Sequence, residues 1–254
     1  MSDVVRFEVA DRIAVITLDR PERRNAVDLP TAQAISAALD ELDARDDVSV
    51  GVLTGAGGIF SAGMDLKAFS ATKERPITER GGFGIVERPA AKPLIAAVEG
   101  KALGGGFEIA LACDLIVAAD NAEFGLPEVK RGLVAAAGGV LRLPRRIPPT
   151  VAKELVLTGE PISAARAQDL GLVNRVVPAG TAADHARTLA AAIAANAPLA
   201  VRTAKLLIDE SADWPAAEAF ARQAPHTDAV RSSRDAAEGA RAFVEKRAPA
   251  WSGS

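Results

Sequence analysis

The amino-acid sequence predicts an α/β fold, with a layered core of buried strands followed by an all-helical C-terminal region. Three observations carry this. Short apolar runs alternate with segments of helical spacing as far as about residue 150, the strand–helix–strand rhythm of a layered core. Several of these runs end on glycine-rich turns. From Thr150 onward the spacing is mostly helical.

The elements follow in order. Val4–Val9 and Ile13–Leu18 read as two strands around an Asp11-Arg12 turn. Leu29 to Ala44 has helical spacing behind the break Asp28-Leu29-Pro30. Val50–Thr54 is a short buried strand ending in Gly55-Ala56-Gly57-Gly58, and Leu94–Val98 and Leu115–Ala118 are two more. Residues 70–90 are polar and glycine-rich, and read as a mobile surface loop or lid. Val173–Val177 is a late strand, and helices are expected over Ala182–Ala195, Pro198 to about Ser211, Trp214–Ala224 and Ser232–Val244. A boundary at Asn196-Ala197-Pro198 divides the chain into an α/β core, 1–197, and a helical region, 198–254.

Composition narrows the function. A chain of 254 residues, 49% hydrophobic and 25% charged, buries a sizeable core. A net charge of −3 argues against nucleic acid as the main partner. Aromatic residues are only 4%, with no tyrosine, which disfavours base stacking and aromatic cages. One cysteine, Cys113, excludes an internal disulfide and a cysteine-rich zinc site. There is no apolar N-terminal leader and no apolar run long enough for a membrane span, so a cytoplasmic location is expected.

Three segments have residues suited to chemistry. In Phe60-Ser61-Ala62-Gly63-Met64-Asp65-Leu66, small side chains let a ligand approach the backbone, although a plain strand-to-helix turn has the same composition. Gly100 to Glu108 opens a helix after a strand, and free N–H groups at a helix start favour developing negative charge. Two such groups, one from each glycine-rich segment, would make an oxyanion hole for a thioester carbonyl. Glu108 lies one turn beyond Gly105 and can point back to the same site, or serve only as a helix-start carboxylate. Phe124-Gly125-Leu126-Pro127-Glu128 offers a second glutamate, which alone would read as an exposed acid after a proline turn.

Taken together, these segments resemble the crotonase (enoyl-CoA hydratase/isomerase) superfamily. Matching stretches run from Leu18-Asp19-Arg20-Pro21 and Asn25-Ala26, through Ser61–Leu66, Leu103–Glu108 and Phe124–Glu128, to Gly138-Gly139, Leu157-Thr158-Gly159, Gly171-Leu172-Val173 and Glu238-Gly239 with Ala242-Phe243. The resemblance implies a crotonase-like (ClpP/crotonase) spiral of ββα units with a C-terminal helical trimerisation region, and hence a homotrimer or dimer of trimers. It implies Glu108 and Glu128 as an acid/base pair, and Met64 and Gly105 as oxyanion-hole N–H donors. It places Arg24, Ala26, Ala62, Asp65 and Leu66 where the family holds coenzyme A. No metal or redox cofactor is implied, since coenzyme A belongs to the substrate. The implied reaction is hydration of a 2-enoyl-CoA thioester, with enoyl-CoA isomerisation as an alternative needing one base.

One departure is local. Family hydratases often read Pro-Gly-Ala-Gly-Gly where this chain has Ala135-Ala136-Ala137-Gly138-Gly139, so the turn beside Glu128 is expected to differ in shape. Gly106-Phe107-Glu108, Ala119–Ala122, Gly139–Pro144 and the ending Phe243–Arg247 with Trp251 are also similar to the carnitinyl-CoA dehydratase (crotonobetainyl-CoA hydratase) branch, which carries Trp where Met64 stands. Other classes fit less well. Gly104-Gly105-Gly106 lacks dinucleotide-binding spacing, Ser61 lacks a nucleophile elbow, and the histidines, His185 and His226, lie in helical segments. A non-catalytic CoA-binding assembly protein is the alternative from another class.

Overall fold

The computed structural model describes residues 4–254. Among them a six-stranded sheet forms the centre, in the order β1 (Val5–Ala10), β2 (Ile13–Leu18), β3 (Val50–Gly55), then β6 (Leu94–Val98), β8 (Leu115–Ala119) and β11 (Arg175–Val177). Only the β1–β2 pair is antiparallel. β6 is buried along its whole length, as expected of a parallel strand covered on both faces. One face is covered by α1 (Leu29–Ala44), whose Ile35, Leu39 and Leu42 are fully buried. The other is covered by α7 (Ala182–Ala194), whose Ala182, Ala186 and Ala190 recur at four-residue spacing and let it pack closely. α1 starts where its sequence says it should: Asp28 accepts from the Thr31 N–H, and Pro30 sits in the first turn, where its missing N–H costs nothing.

Between β3 and β6 lie α2 (Leu66–Thr72) and a two-residue hairpin, β4 (Ile77–Thr78) with β5 (Gly81–Gly82). The expected surface loop at 70–90 is therefore partly interior. Arg80 is fully buried, ion-paired to Asp40 at 2.8 Å and Asp43 at 2.7 Å, both on α1, and donates to the carbonyls of Arg88 and Pro89. Ile85 and Val86 are buried too. The segment reads as polar because its largest polar side chain is neutralised by partners forty positions away.

A second, three-stranded sheet is formed by β7 (Lys101–Leu103), β9 (Glu123–Gly125) and β10 (Ile162–Ser163). Each repeat thus places one long strand in the main sheet and one short strand in the second. β6–β7 is followed by α3 (Gly105–Ala112), and β8–β9 by the tight turn Pro127–Arg131. This is the expected ββα spiral. The rings of Phe107 and Phe124 pack 5.5 Å apart between these layers. α4 (Gly139–Arg146), α5 (Pro149–Thr158) and α6 (Ala164–Asp169) complete the core.

After Pro198, α8 (Pro198–Ser211) and α9 (Ala219–Arg231) bury none of their residues in the chain, while α10 (Arg234–Glu245) buries Asp235, Glu238 and Ala242. The helix expected at Trp214–Ala224 instead begins at Ala219 and runs through Pro225 to Arg231. Among the described residues no single helix is long and apolar enough to cross a membrane.

Candidate active site

Backbone geometry builds the site first. Gly104 has φ +55° and ψ −126°, a conformation L side chains rarely adopt, and it turns the chain from β7 into α3. No side chain caps that helix start. The first N–H groups of α3 are therefore left facing outward from the turn. Across from them, Gly63 (φ +86°) approaches so closely that a Cβ there would lie 2.7 Å from the Gly105 nitrogen. Met64 follows, bridging to Val27. No hydrogen bond from the Met64 or Gly105 N–H is found among the described residues. The two predicted donors thus come from segments in direct backbone contact.

The predicted binding residues lie along one strap beside them. The Ala62 N–H donates to the Arg24 carbonyl at 3.0 Å, Val27 to Gly63 at 2.8 Å, and Asp65 to Val27 at 2.9 Å. Arg24 holds a left-handed φ of +53°, and Asn25 ties the strap down by donating to the carbonyls of Ala56 and Ile59. Arg24, Ala62 and Leu66 are exposed, whereas Ala26 and Asp65 are buried. The Asp65 side chain is engaged within the protein, capping α2 at the Ala68 N–H and pairing with Arg20 at 3.2 Å. Although burial pulls its carboxyl upward, the Ala68 N–H and Arg20 hold it below the usual range. Arg20, a fastener the sequence reading did not single out, also pairs with Asp28 and donates to the Ala26 carbonyl. A cavity of about 160 Å³ runs beside this strap, lined by Met64, Asp65, Ala68 and Phe69 among others; neither glutamate borders it.

Both glutamates converge on the glycine-rich layer. Glu108, in the first turn of α3, is 3% exposed, and its Oε1 accepts from the N–H groups of Ala137 (2.7 Å) and Gly139 (2.9 Å). The turn expected to flank Glu128 also grips Glu108: the chain folds back from Gly132 and delivers residues 137–139 to the start of α3. Burial pushes the Glu108 carboxyl above its ordinary range; the two N–H groups oppose this, and the nearby Glu128 charge adds to it. Glu128 sits on the Pro127–Arg131 turn with one oxygen beside Gly104, where a Cβ would lie 3.0 Å from Oε1. Its Oε2 is buried and has no hydrogen-bond partner among the described residues. Burial pushes this carboxyl upward as well. An unpartnered buried oxygen beside a second buried carboxyl is a proton-handling site in waiting.

Sequence comparison agrees with this architecture. Residues 8–254 match the family model described as enoyl-CoA hydratase/isomerase. The chain belongs to the enoyl-CoA hydratase/isomerase family. Among curated relatives it is 45% identical, over 264 residues and the whole of both chains, to a carnitinyl-CoA dehydratase of Shigella flexneri. Among solved structures it is similar to an enoyl-CoA hydratase from Mycobacterium tuberculosis H37Rv, with a TM-score of 0.98, 52% identity and full coverage of both chains. It is also similar to a carnitinyl-CoA hydratase from Mycobacterium avium, with a TM-score of 0.80, 45% identity and full coverage of both chains. The family assignment makes a CoA thioester the substrate class of this enzyme.

The structure brings Glu108, Glu128, Gly105 and the backbone of Met64 into one region and sets the strap of Arg24–Leu66 beside it. The sequence reading missed Ala137 and Gly139 as the groups holding Glu108. Their signal was present, since Gly138-Gly139 is a turn rich in free N–H groups, but nothing in the linear chain says which carboxylate it meets.

Proposed function

We propose that this enzyme is an enoyl-CoA hydratase, adding water reversibly and in syn fashion to a 2-trans-enoyl-CoA to give a 3-hydroxyacyl-CoA. The observation that carries this is the pair of carboxyls, Glu108 buried and Glu128 half-buried with one oxygen enclosed, at a backbone layer with free N–H groups. Two acid/base groups suit addition of water, which needs one proton removed and one supplied. Glu108, steadied by two N–H groups, takes a proton from water as the oxygen attacks C3. Negative charge moves to the thioester oxygen, where the Met64 and Gly105 N–H groups stabilise it. Glu128, whose carboxyl burial pushes upward and whose Oε2 has no partner among the described residues, gives the proton to C2. Arg24, Ala26, Ala62, Asp65 and Leu66 hold the nucleotide and pantetheine, Asp65 through its place in the strap. Following loss of the conjugated absorbance of crotonyl-CoA tests the reading directly. Absence of hydration, with Δ3–Δ2 double-bond migration as the only reaction, would favour the isomerase. Binding without either reaction would favour the assembly protein.

A second reading is carnitinyl-CoA dehydration, favoured by the curated relatives at 45% identity. Phe69 is the one aromatic residue lining the cavity beside Met64, a sparse setting for a trimethylammonium group. Comparing kcat/KM for crotonobetainyl-CoA and crotonyl-CoA separates the two. For assembly, Phe220, Phe243 and Val244 are 83%, 86% and 79% exposed in the single chain, and a trimer or dimer of trimers would cover such side chains. Light scattering should give three or six times 26.2 kDa.

A further inference from the structure

Phe83 stands out on two independent counts. Its backbone lies at φ +55°, in the left-handed region that a bulky residue adopts at a cost, although glycines stand at 81, 82 and 84 on either side of it. A strained, non-glycine residue is a pointer to function when its surroundings enforce it. Here they do. The Phe83 N–H donates to the Pro76 carbonyl at 2.7 Å, the buried Arg80 ties the same hairpin to Asp40 and Asp43, and Gly84 presses against the Ala32 carbonyl of α1. Arg142 adds a bond to the Val86 carbonyl from the far side.

What this fixation holds is the phenyl ring. A Cβ built on Gly105 would lie 2.2 Å from the ring's Cζ, so the ring tip occupies the space over the Gly105 Cα. The adjacent Gly82 faces the Ala137 methyl, a Cβ there lying 3.3 Å away, and Ala137 is the residue that donates to Glu108. The hairpin therefore roofs the gap between the Gly105 N–H and the groups that hold Glu108. An acyl group reaching from the Gly105 N–H to Glu108 would have this hairpin as its neighbour.

We propose that Phe83, locked over Gly105 by the Arg80-anchored hairpin, is the residue that limits the size of acyl group accepted beside the reacting carbonyl. The inference rests on the hydratase reading for where the carbonyl sits, but its test does not require turnover. Binding of butyryl-, hexanoyl-, octanoyl- and decanoyl-CoA, which cannot be hydrated, is measured by calorimetry on the wild type, Phe83→Leu and Phe83→Ala. Phe83→Ala should shift the octanoyl-to-butyryl affinity ratio toward the longer chain by about tenfold or more, the low end of what one methylene is worth in an apolar pocket, with Phe83→Leu between. A second cycle addresses the contact itself. Gly105→Ala should weaken butyryl-CoA binding sharply, and Phe83→Ala combined with Gly105→Ala should recover about tenfold of that loss, because the added methyl enters the vacated space. A folded Phe83→Leu or Phe83→Ala protein whose ratio moves less than about threefold, or a double variant as weak as Gly105→Ala alone, would overturn the proposal. If these shifts appear but crotonyl-CoA is not hydrated, the hydratase reading fails and the size limit stands.

Discussion

Glu108 is a buried carboxyl and Glu128 a half-buried one with a single enclosed oxygen, and their surroundings hold them by different means. Glu108 sits at a helix start, and one of its oxygens rests on two backbone N–H groups delivered by the 137–139 turn. Glu128 sits on a short turn, and one of its oxygens is enclosed with nothing to accept from among the described residues. Both carboxyls are driven toward the protonated form by burial; the Gly139 and Ala137 N–H groups oppose this at Glu108, while at Glu128 only its own backbone N–H and the Arg131 charge do. The difference supports the roles proposed above: Glu108, held by two N–H groups from a facing turn, suits the base, and Glu128, with one oxygen unpartnered among the described residues, suits the acid.

The most severe way to break the comparison removes the charge. Glu108→Gln and Glu128→Gln should each lower turnover by about a hundredfold or more, with the double variant losing far less than the product, as groups acting as a unit do. Fully active single variants that bind substrate would end the acid/base assignment. A gentler probe adds one methyl to the wall of each carboxyl. Gly104→Ala places a Cβ 3.0 Å from the Glu128 oxygen and also strains a positive φ, whereas Gly139→Ala places one 3.1 Å from the Glu108 oxygen without that strain. Both should cost activity by about tenfold, Gly104→Ala the more, as measured by steady-state kcat.

Stability separates the two sites further. A carboxyl raised by burial binds its proton more tightly folded than unfolded, so its contribution to stability falls as pH rises from the unfolded value, about 4.3, through the raised folded one. Glu128→Gln removes that loss. Melting curves should show the variant more stable than the wild type at pH 8, with the difference closing toward pH 4. Glu108→Gln should gain less, because its amide oxygen accepts from the Ala137 and Gly139 N–H groups more weakly than a carboxylate does. The smallest effect is expected at Met64, whose contribution is its backbone: Met64→Leu should change kcat by no more than about threefold, since the N–H remains.

Sequence alone placed α1, β6 and α8 at the ends the structure gives them, because Asp28, Pro30, Pro93 and Pro198 mark those ends chemically. It could not register β7, β9 and β10, since two or three residues carry no period. The helix expected to stop at Ala224 instead continues through Pro225 to Arg231. The two glutamates and two backbone donors were legible as motifs. The partners of Glu108 were not, nor was the buried role of Arg80, because each depends on a contact between segments about thirty to forty positions apart.

The Arg80 anchor has a consequence for how the molecule breathes. Its partners Asp40 and Asp43 lie near the C-terminal end of α1, and Gly84 rests on the same helix at Ala32. The hairpin over the reaction centre and α1 are thus one cooperative unit, and neither can open without disturbing the other. Amide protons of Phe83 and Ile85 should exchange with solvent at the pace of the middle of α1, far more slowly than a glycine-rich connection of this composition would on its own.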